Sequence, residues 1–448
     1  MLNRCVLFYF VWMLILTTAV SAQNENLAPY EIAQQRITEA QATNATFLNL
    51  AFLGLETLPP EIWSLTNLET LLADNNALSS LPAEIATLTN LKILRLGSNA
   101  LTSLPPEIAQ LSNLHTLHID SNLLTTLPTE IGQLTQLEIL WMHDNAFTSV
   151  PPQVGQLSNL RELSAGQETL TTLPPEIGQL HNLQKLLLYG SNLTALPPEI
   201  GQLHSLEALW LNENLLTQLP PQIGGLINLQ YLNIDENQLT LLPPEIGNLS
   251  NLVDLTLRDN ALSTLPTEIG NLGNLERLFL DNNQISSLPS HIDRLLMLEI
   301  LDLDNNLLMT LPSEIGGMRN LKYLYLENNQ LEALPAEIGQ LSNLQVLSVY
   351  NNQLTELPPK IGDLFNLTTL QIADNQLTLL PPEIGKLQSL WSLNIANNQL
   401  TALPAEITQL DQLCYLTATD NQLTQLPPNF SLPANCNVGQ YRFDSNVD

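Results

Sequence analysis

The side chains able to do chemistry in this sequence are scattered, not assembled. Six histidines occur: His115, His118, His143, His181, His204 and His291. His115 and His118 share one predicted strand, where a spacing of three turns them to opposite faces. His118 and His143 fall on neighbouring predicted strands with Asp120 and Asp144 nearby, the one candidate for a metal pair. Neither a cysteine nor a full ligand motif accompanies them, so no metal ligand is assigned. No G-x-S-x-G, H-E-x-x-H, kinase or G-x-x-x-x-G-K-[ST] signature is present. Carboxylates abound, 44 Asp and Glu against 14 Lys and Arg. Solvated acids on a repetitive surface do not identify a general acid or base, and no EF-hand spacing gathers them. No catalytic residue and no cofactor is therefore assigned. What remains is recognition chemistry. Trp141, Tyr189, Trp210, Tyr231, Phe279, Tyr323, Tyr325 and Tyr350 stand among Asp254, Arg258, Arg277, Asp281, Asp302, Asp304 and Glu327. Exposed rings beside charge resemble the anchors of protein interfaces.

These residues occupy the variable slots of a 23-residue period. A Leu-Pro step recurs from Leu58-Pro59 to Leu426-Pro427, 17 times without insertion, with Val150 once in place of Leu. A fixed period of this length predicts a stacked α/β repeat solenoid. Within each unit, L-x-x-L-x-L reads as a short strand, with Leu91, Leu94 and Leu96 inward and Ile93, Arg95 and Gly97 outward. An asparagine column (Asn76, Asn99, Asn122, Asn145, then Asn214 to Asn421) can satisfy buried turn groups. Glu168 and Ser191 interrupt it, which reads either as tolerated drift or as a local bend. Leu-Pro-Pro-Glu-Ile-Gly returns the chain along the opposite face, its prolines opposing a long helix. The glutamate row, Glu61 to Glu406, is expected at the starts of short helical turns. Strands pack more narrowly than returns, so the array should curve with a concave parallel sheet.

The segment Leu68-x-x-Leu71-x-Ala73-x-x-Asn76-x-Leu78 resembles the leucine-rich repeat family, over about 380 residues. The resemblance implies a curved horseshoe and a binding role. The chain is expected to divide into a leader (1–22), a helical cap with a degenerate first repeat (23–57), the array (58–428) and a terminal cap (429–448). Phe430, Tyr441 and Phe443 are expected to seal the last repeat. Cys414 and Cys436 fall in adjacent units, either as a capping disulfide or as two buried thiols. The start looks like bacterial arrays, some of which continue into Ras-like GTPase modules, an activity that the missing phosphate-loop motif does not carry over.

Arg4, an apolar run Cys5–Leu16 and Val20-Ser21-Ala22 read as a secretory signal. The alternative is an uncleaved membrane anchor. No later stretch is long and apolar enough to span a bilayer. A net charge of −30 argues against nucleic acid and anionic membranes as partners. The sequence therefore predicts an exported, non-enzymatic scaffold, secreted or at the cell surface. Its concave face would bind a protein, or else a polysaccharide. The rival readings are a cytoplasmic or membrane-anchored signalling scaffold, similar to Ras-group repeat proteins, and a regulatory module for an enzyme on another chain.

Overall fold

The computed structural model describes residues 27–428, 430, 431, 436 and 440–444. The expected leader, residues 1–22, lies outside them. Contacts divide the chain into two compact units, Met1–Trp141 and Met142–Asp448.

In the first unit, helix α1 (Pro29–Thr43) opens the described chain. Pro29 suits its first turn, and the Glu31 carboxylate accepts the Ala28 N–H at 3.1 Å. Ala33, Ile37 and Ala40 are buried and Ile32 is half-buried, so one face of the helix is apolar and turned inward. That face covers β1 (Phe47–Asn49), and Arg36 donates to the Asn49 carbonyl at 2.7 Å. There follow β2 (Thr70–Leu72), β3 (Ile93–Arg95), β4 (Thr116–His118) and β5 (Ile139–Trp141), each parallel to the last.

The second unit continues the pattern with β6 (Glu162–Ser164), β7 (Lys185–Leu187), β8 (Ala208–Trp210), β9 (Tyr231–Asn233), β10 (Asp254–Thr256), β11 (Arg277–Phe279) and β12 (Ile300–Asp302). Then come β13 (Tyr323–Tyr325), β14 (Val346–Ser348), β15 (Thr369–Gln371), β16 (Ser392–Asn394), β17 (Tyr415–Thr417) and β18 (Gln440–Arg442). Neighbours pair in parallel and in register, as Leu301 with Leu324 and Leu324 with Leu347. Both units are thus the expected solenoid of parallel strands joined by 3-10 returns. The period explains why: strand alternation sends one leucine set inward, and Ile315, Met318, Leu321, Leu324, Leu326 and Leu331 are all fully buried. Each such side chain contributes roughly 2–3 kcal/mol, and only stacked neighbours close this core.

The returns are five-residue 3-10 turns such as Ala336–Gln340, with the glutamate in the first turn beside exposed N–H groups. The glycine after the buried isoleucine has a steric reason. A Cβ on Gly339 would stand 2.4 Å from the Lys360 carbonyl of the next return. Asn282, Asn305, Asn328 and Asn351 hold φ between 51° and 57°, where Asn is tolerated and most side chains are strained.

Strand β18 was not legible as a repeat, because it lacks the leucine pattern. Tyr441 takes the inward slot opposite Leu416 and donates its hydroxyl to the Leu413 carbonyl at 3.0 Å. Phe430 and Phe443 pack on its ring. Asp444 accepts the N–H groups of Asp420 and Asn421, which in earlier repeats go to the next unit's carbonyls. Cys414 and Cys436 are joined by a disulfide, their Cα atoms 5.4 Å apart.

Candidate binding surface

The outward slots of the strands carry the residues singled out from the sequence. Trp141 belongs to the first unit, where its ring stacks on His118 at 4.1 Å and buries that imidazole. In the second unit Tyr189 and Trp210 meet at 6.5 Å. Tyr231 and Tyr350 are the most open of the set, 44% and 37% exposed. Trp210, Phe279, Tyr323 and Tyr325 are half-buried on the strand face, and none enters the leucine core. The rings of the core are different: Phe147 is fully buried.

Parallel register lines these side chains into rungs. Phe279 pairs with Asp302, Asp302 with Tyr325, and Tyr325 with Ser348. Along the neighbouring row, Tyr231 pairs with Asp254, Asp254 with Arg277, and Ile300 with Tyr323. Sequence separation of 21 to 23 residues thus becomes direct contact.

Charge is distributed unevenly along these rows. Arg277 is held by Asp254 at 2.8 Å and Glu276 at 3.4 Å. Arg258 reaches Asp281 at 2.9 Å and Asp235 at 3.9 Å, with its guanidinium 4.0 Å from the centre of the Phe279 ring. Lys322 pairs with Glu299 at 2.7 Å. Arg258 and Arg277, expected among the binding residues, therefore first serve to neutralise their own neighbours. Burial raises Asp235 and Asp281, and Arg258 opposes the rise in both.

Beyond Asp281, among the described residues, no cation forms an ion pair with Asp302, Asp304 or Glu327. Asp302 accepts the Asp304 N–H at 3.2 Å, and Asp304 accepts the Glu327 N–H at 2.5 Å. Ser348 donates to Glu327 at 2.5 Å. Burial and the facing Asp281 push Asp302 up to about 6. Burial and the charges of Asp302, Glu327 and Asp281 push Asp304 up to about 7. Tyr325 is raised by burial and by Asp302. Desolvation and like charge both disfavour the ionised forms, so this stretch is short of positive charge.

Trp391 is absent from the sequence-derived set. It is 49% exposed and lies 4.4 Å from the Tyr415 ring. The signal was its slot, the first variable position of the unit, which Gln345 and Cys414 also fill. Along the same edge runs a shallow groove of about 690 Å³ lined by Gln184, Glu207, Gln230, Asn251, Glu276 and Met297. Its amides and carboxylates are strung over successive repeats and do not converge on one point, unlike a small-molecule site. The candidate metal pair does not gain ligands: among the described residues no group of three or more His, Cys, Asp or Glu is arranged to hold an ion. His143 is instead bonded to the Ser164 hydroxyl at 2.9 Å. Among the described residues no helix is long and apolar enough to cross a membrane.

Profiles for "Leucine-rich repeat region" match residues 90–171, 313–379 and 359–431, and those for "Leucine rich repeat" match 181–239, 227–285 and 273–331. A leucine-rich repeat protein of Leptospira interrogans is 40% identical, with 86% of this chain and 93% of that one covered and a TM-score of 0.70. YopM of Yersinia enterocolitica is 26% identical over 99% of this chain and 98% of its own, at a TM-score of 0.59. A TDR receptor is 26% identical over 88% and 84%, at 0.61. No curated protein matches.

Proposed function

Since the chain belongs to the leucine-rich repeat family, we propose that it is an exported, non-enzymatic scaffold that binds a protein on its strand face. The observation that carries this reading is the block from Phe279 to Tyr350. There rings and carboxylates share neighbouring rungs, and among the described residues no lysine or arginine forms an ion pair with Asp302, Asp304 or Glu327, Arg258 acting on Asp302 only through its charge. Half-buried rings lose little freedom on binding, and desolvated acids gain from a cationic partner. The Leu-rich frame beneath is uniform, so specificity would be written in these slots. Export is supported by the leader-like start and by the Cys414–Cys436 bridge, since disulfides persist in oxidising compartments.

The test is capture of partners from extracellular fractions by the mature protein, repeated with Tyr323 and Tyr325 both changed to Ala. Partners should be lost in the double variant while the circular dichroism and melting profile stay unchanged. Equal capture by both proteins removes the strand face as the binding surface. Amino-terminal sequencing addresses export: a mature chain starting at Gln23 supports it, and an intact Met1 in the cytosol overturns it.

A further inference from the structure

The second unit carries an occupied copy and an unoccupied copy of one constellation. In the first, Arg258 lies between Asp235 and Asp281 and over the Phe279 ring. Two repeats later, 46 residues on, the four positions are Asp304, Asp281, Glu327 and Tyr325. The two flanking acids are again acids and the ring is again a ring. Only the central residue differs, and it has changed from a cation to a carboxylate. Register makes the copies equivalent, because each strand from β10 to β13 pairs with the next without a slip. Asp304 is too short to cover the Tyr325 ring as Arg258 covers Phe279.

From this internal template we propose that the face at β12–β14 receives an arginine from an extended segment of the protein partner, its guanidinium lying on Tyr325 between Asp281 and Glu327. This deepens the strand-face reading and rests on it. The occupant is an arginine and not a lysine because the template is planar. A guanidinium both stacks on a ring and forks to a carboxylate, whereas an ammonium does only part of this. The groups facing the position are Asp281 on the rung of β11, Asp302 and Asp304 on that of β12, Tyr323, Tyr325 and Glu327 on that of β13, and Ser348 on β14. Arg258, whose charge reaches Asp302, is already bonded to Asp281. Burial and mutual repulsion hold Asp304 near 7, with no cation among the groups acting on it, and Asp302 near 6, where the charge of Arg258 offsets part of the rise.

The experiment uses an otherwise uncharged peptide with a single arginine, and matched peptides with lysine or uncharged citrulline in its place, titrated against the full mature protein at 0.15 M salt. Tightest binding is expected for arginine, roughly three- to tenfold weaker for lysine and at least tenfold weaker for citrulline. Tyr325→Ala should weaken the arginine peptide by roughly three- to tenfold, and Glu327→Gln by at least as much. The turn-face variant Glu245→Gln, with the same change of charge, should leave binding unchanged. Affinity should also fall as pH drops from 8 to 5.5, where the acids take up protons. The decisive variant is Asp304→Arg, which supplies the cation from within. It should fold, melt at a higher temperature at pH 8, and lose the arginine peptide. If Asp304→Arg folds and binds the peptide as the parent does, or if citrulline binds as well as arginine, the cradle is wrong. That result would leave the strand face standing if the Tyr323/Tyr325 double variant still loses the captured partner. Retention in both variants would overturn both readings.

Discussion

Two stretches of the second unit solve one buried hydrogen-bonding problem in different ways. Around Asn306, a single amide does the work. Its Oδ1 accepts the Ile285 N–H at 2.9 Å, and its Nδ2 donates to the carbonyls of Leu280, Leu303 and Asp304 at 3.0 to 3.1 Å. Around residue 168 the column has no asparagine, and the neighbouring Gln167 turns inward instead, to 3% exposure. Its Oε1 accepts the Asn145 N–H and its Nε2 donates to the Phe147 carbonyl, to which Thr169 also donates. Ser191 accepts the Gln167 N–H at 2.9 Å, and Leu170 turns its own N–H to the Gln167 carbonyl. The left-handed turn found at Asp144, Gly190 and Glu213 is missing at Gln167. The backbone therefore fixes the demand for partners, while the residue that meets it can move by one position. This is a change of local route with strand pairing kept from β6 to β8.

The comparison can be broken most severely at its regular member. Asn306→Ala strands buried donors and acceptors on two repeats and should cost about 2–4 kcal/mol in urea unfolding. Gln167→Ala removes fewer bonds, with Thr169 still donating to Phe147, and should cost about 1–2 kcal/mol. An equal or larger loss at Gln167 would mean that the detour is the tighter of the two.

Much of this contrast was legible beforehand. The period, the strand, the inward leucines and the asparagine column all follow from spacing, because each is a property of one unit read at fixed register. The interruption at Glu168 and Ser191 was visible too, but its resolution was not. Gln167 sits one residue out of the column, where a fixed register does not look. The same limit applies to the binding surface. Alternation put Tyr325 and Asp302 outward, yet the burial and crowding that raise Asp302 and Asp304 come from residues on three rungs. Trp391 was overlooked at a slot just ahead of the strand, and Tyr441 fills a leucine position that no leucine pattern marks.

A second, smaller contrast lies between the charge-matched rung at Arg258 and the one at Asp304. A carboxyl with a raised pKa keeps its proton in the folded chain where the unfolded chain has lost it. Stability from these groups therefore falls as pH rises from about 4 to about 7. Asp304→Asn should raise the melting temperature at pH 8 and leave it nearly unchanged at pH 4.5, whereas Glu245→Gln should show no such pH dependence. A melting temperature for Asp304→Asn that does not rise at pH 8 would show that the acid is already compensated. The smallest effect is expected at the terminal cap. Reducing Cys414–Cys436 should speed hydrogen exchange in β17 and β18 and leave exchange in β10–β13 unchanged. Faster exchange throughout would mean that the bridge secures more than its own end.

The strict pairing of each rung with the residue 23 positions away has a genetic consequence. A recombination slip that drops or copies one whole unit leaves every leucine stacked on a leucine, so the frame does not register the event. The face does. Excising 282–304 would set Asp281 beside Glu327 and Phe279 beside Tyr325, a new juxtaposition made without altering a single codon in what remains. Such a gene can draw new recognition patches from its own stock of units.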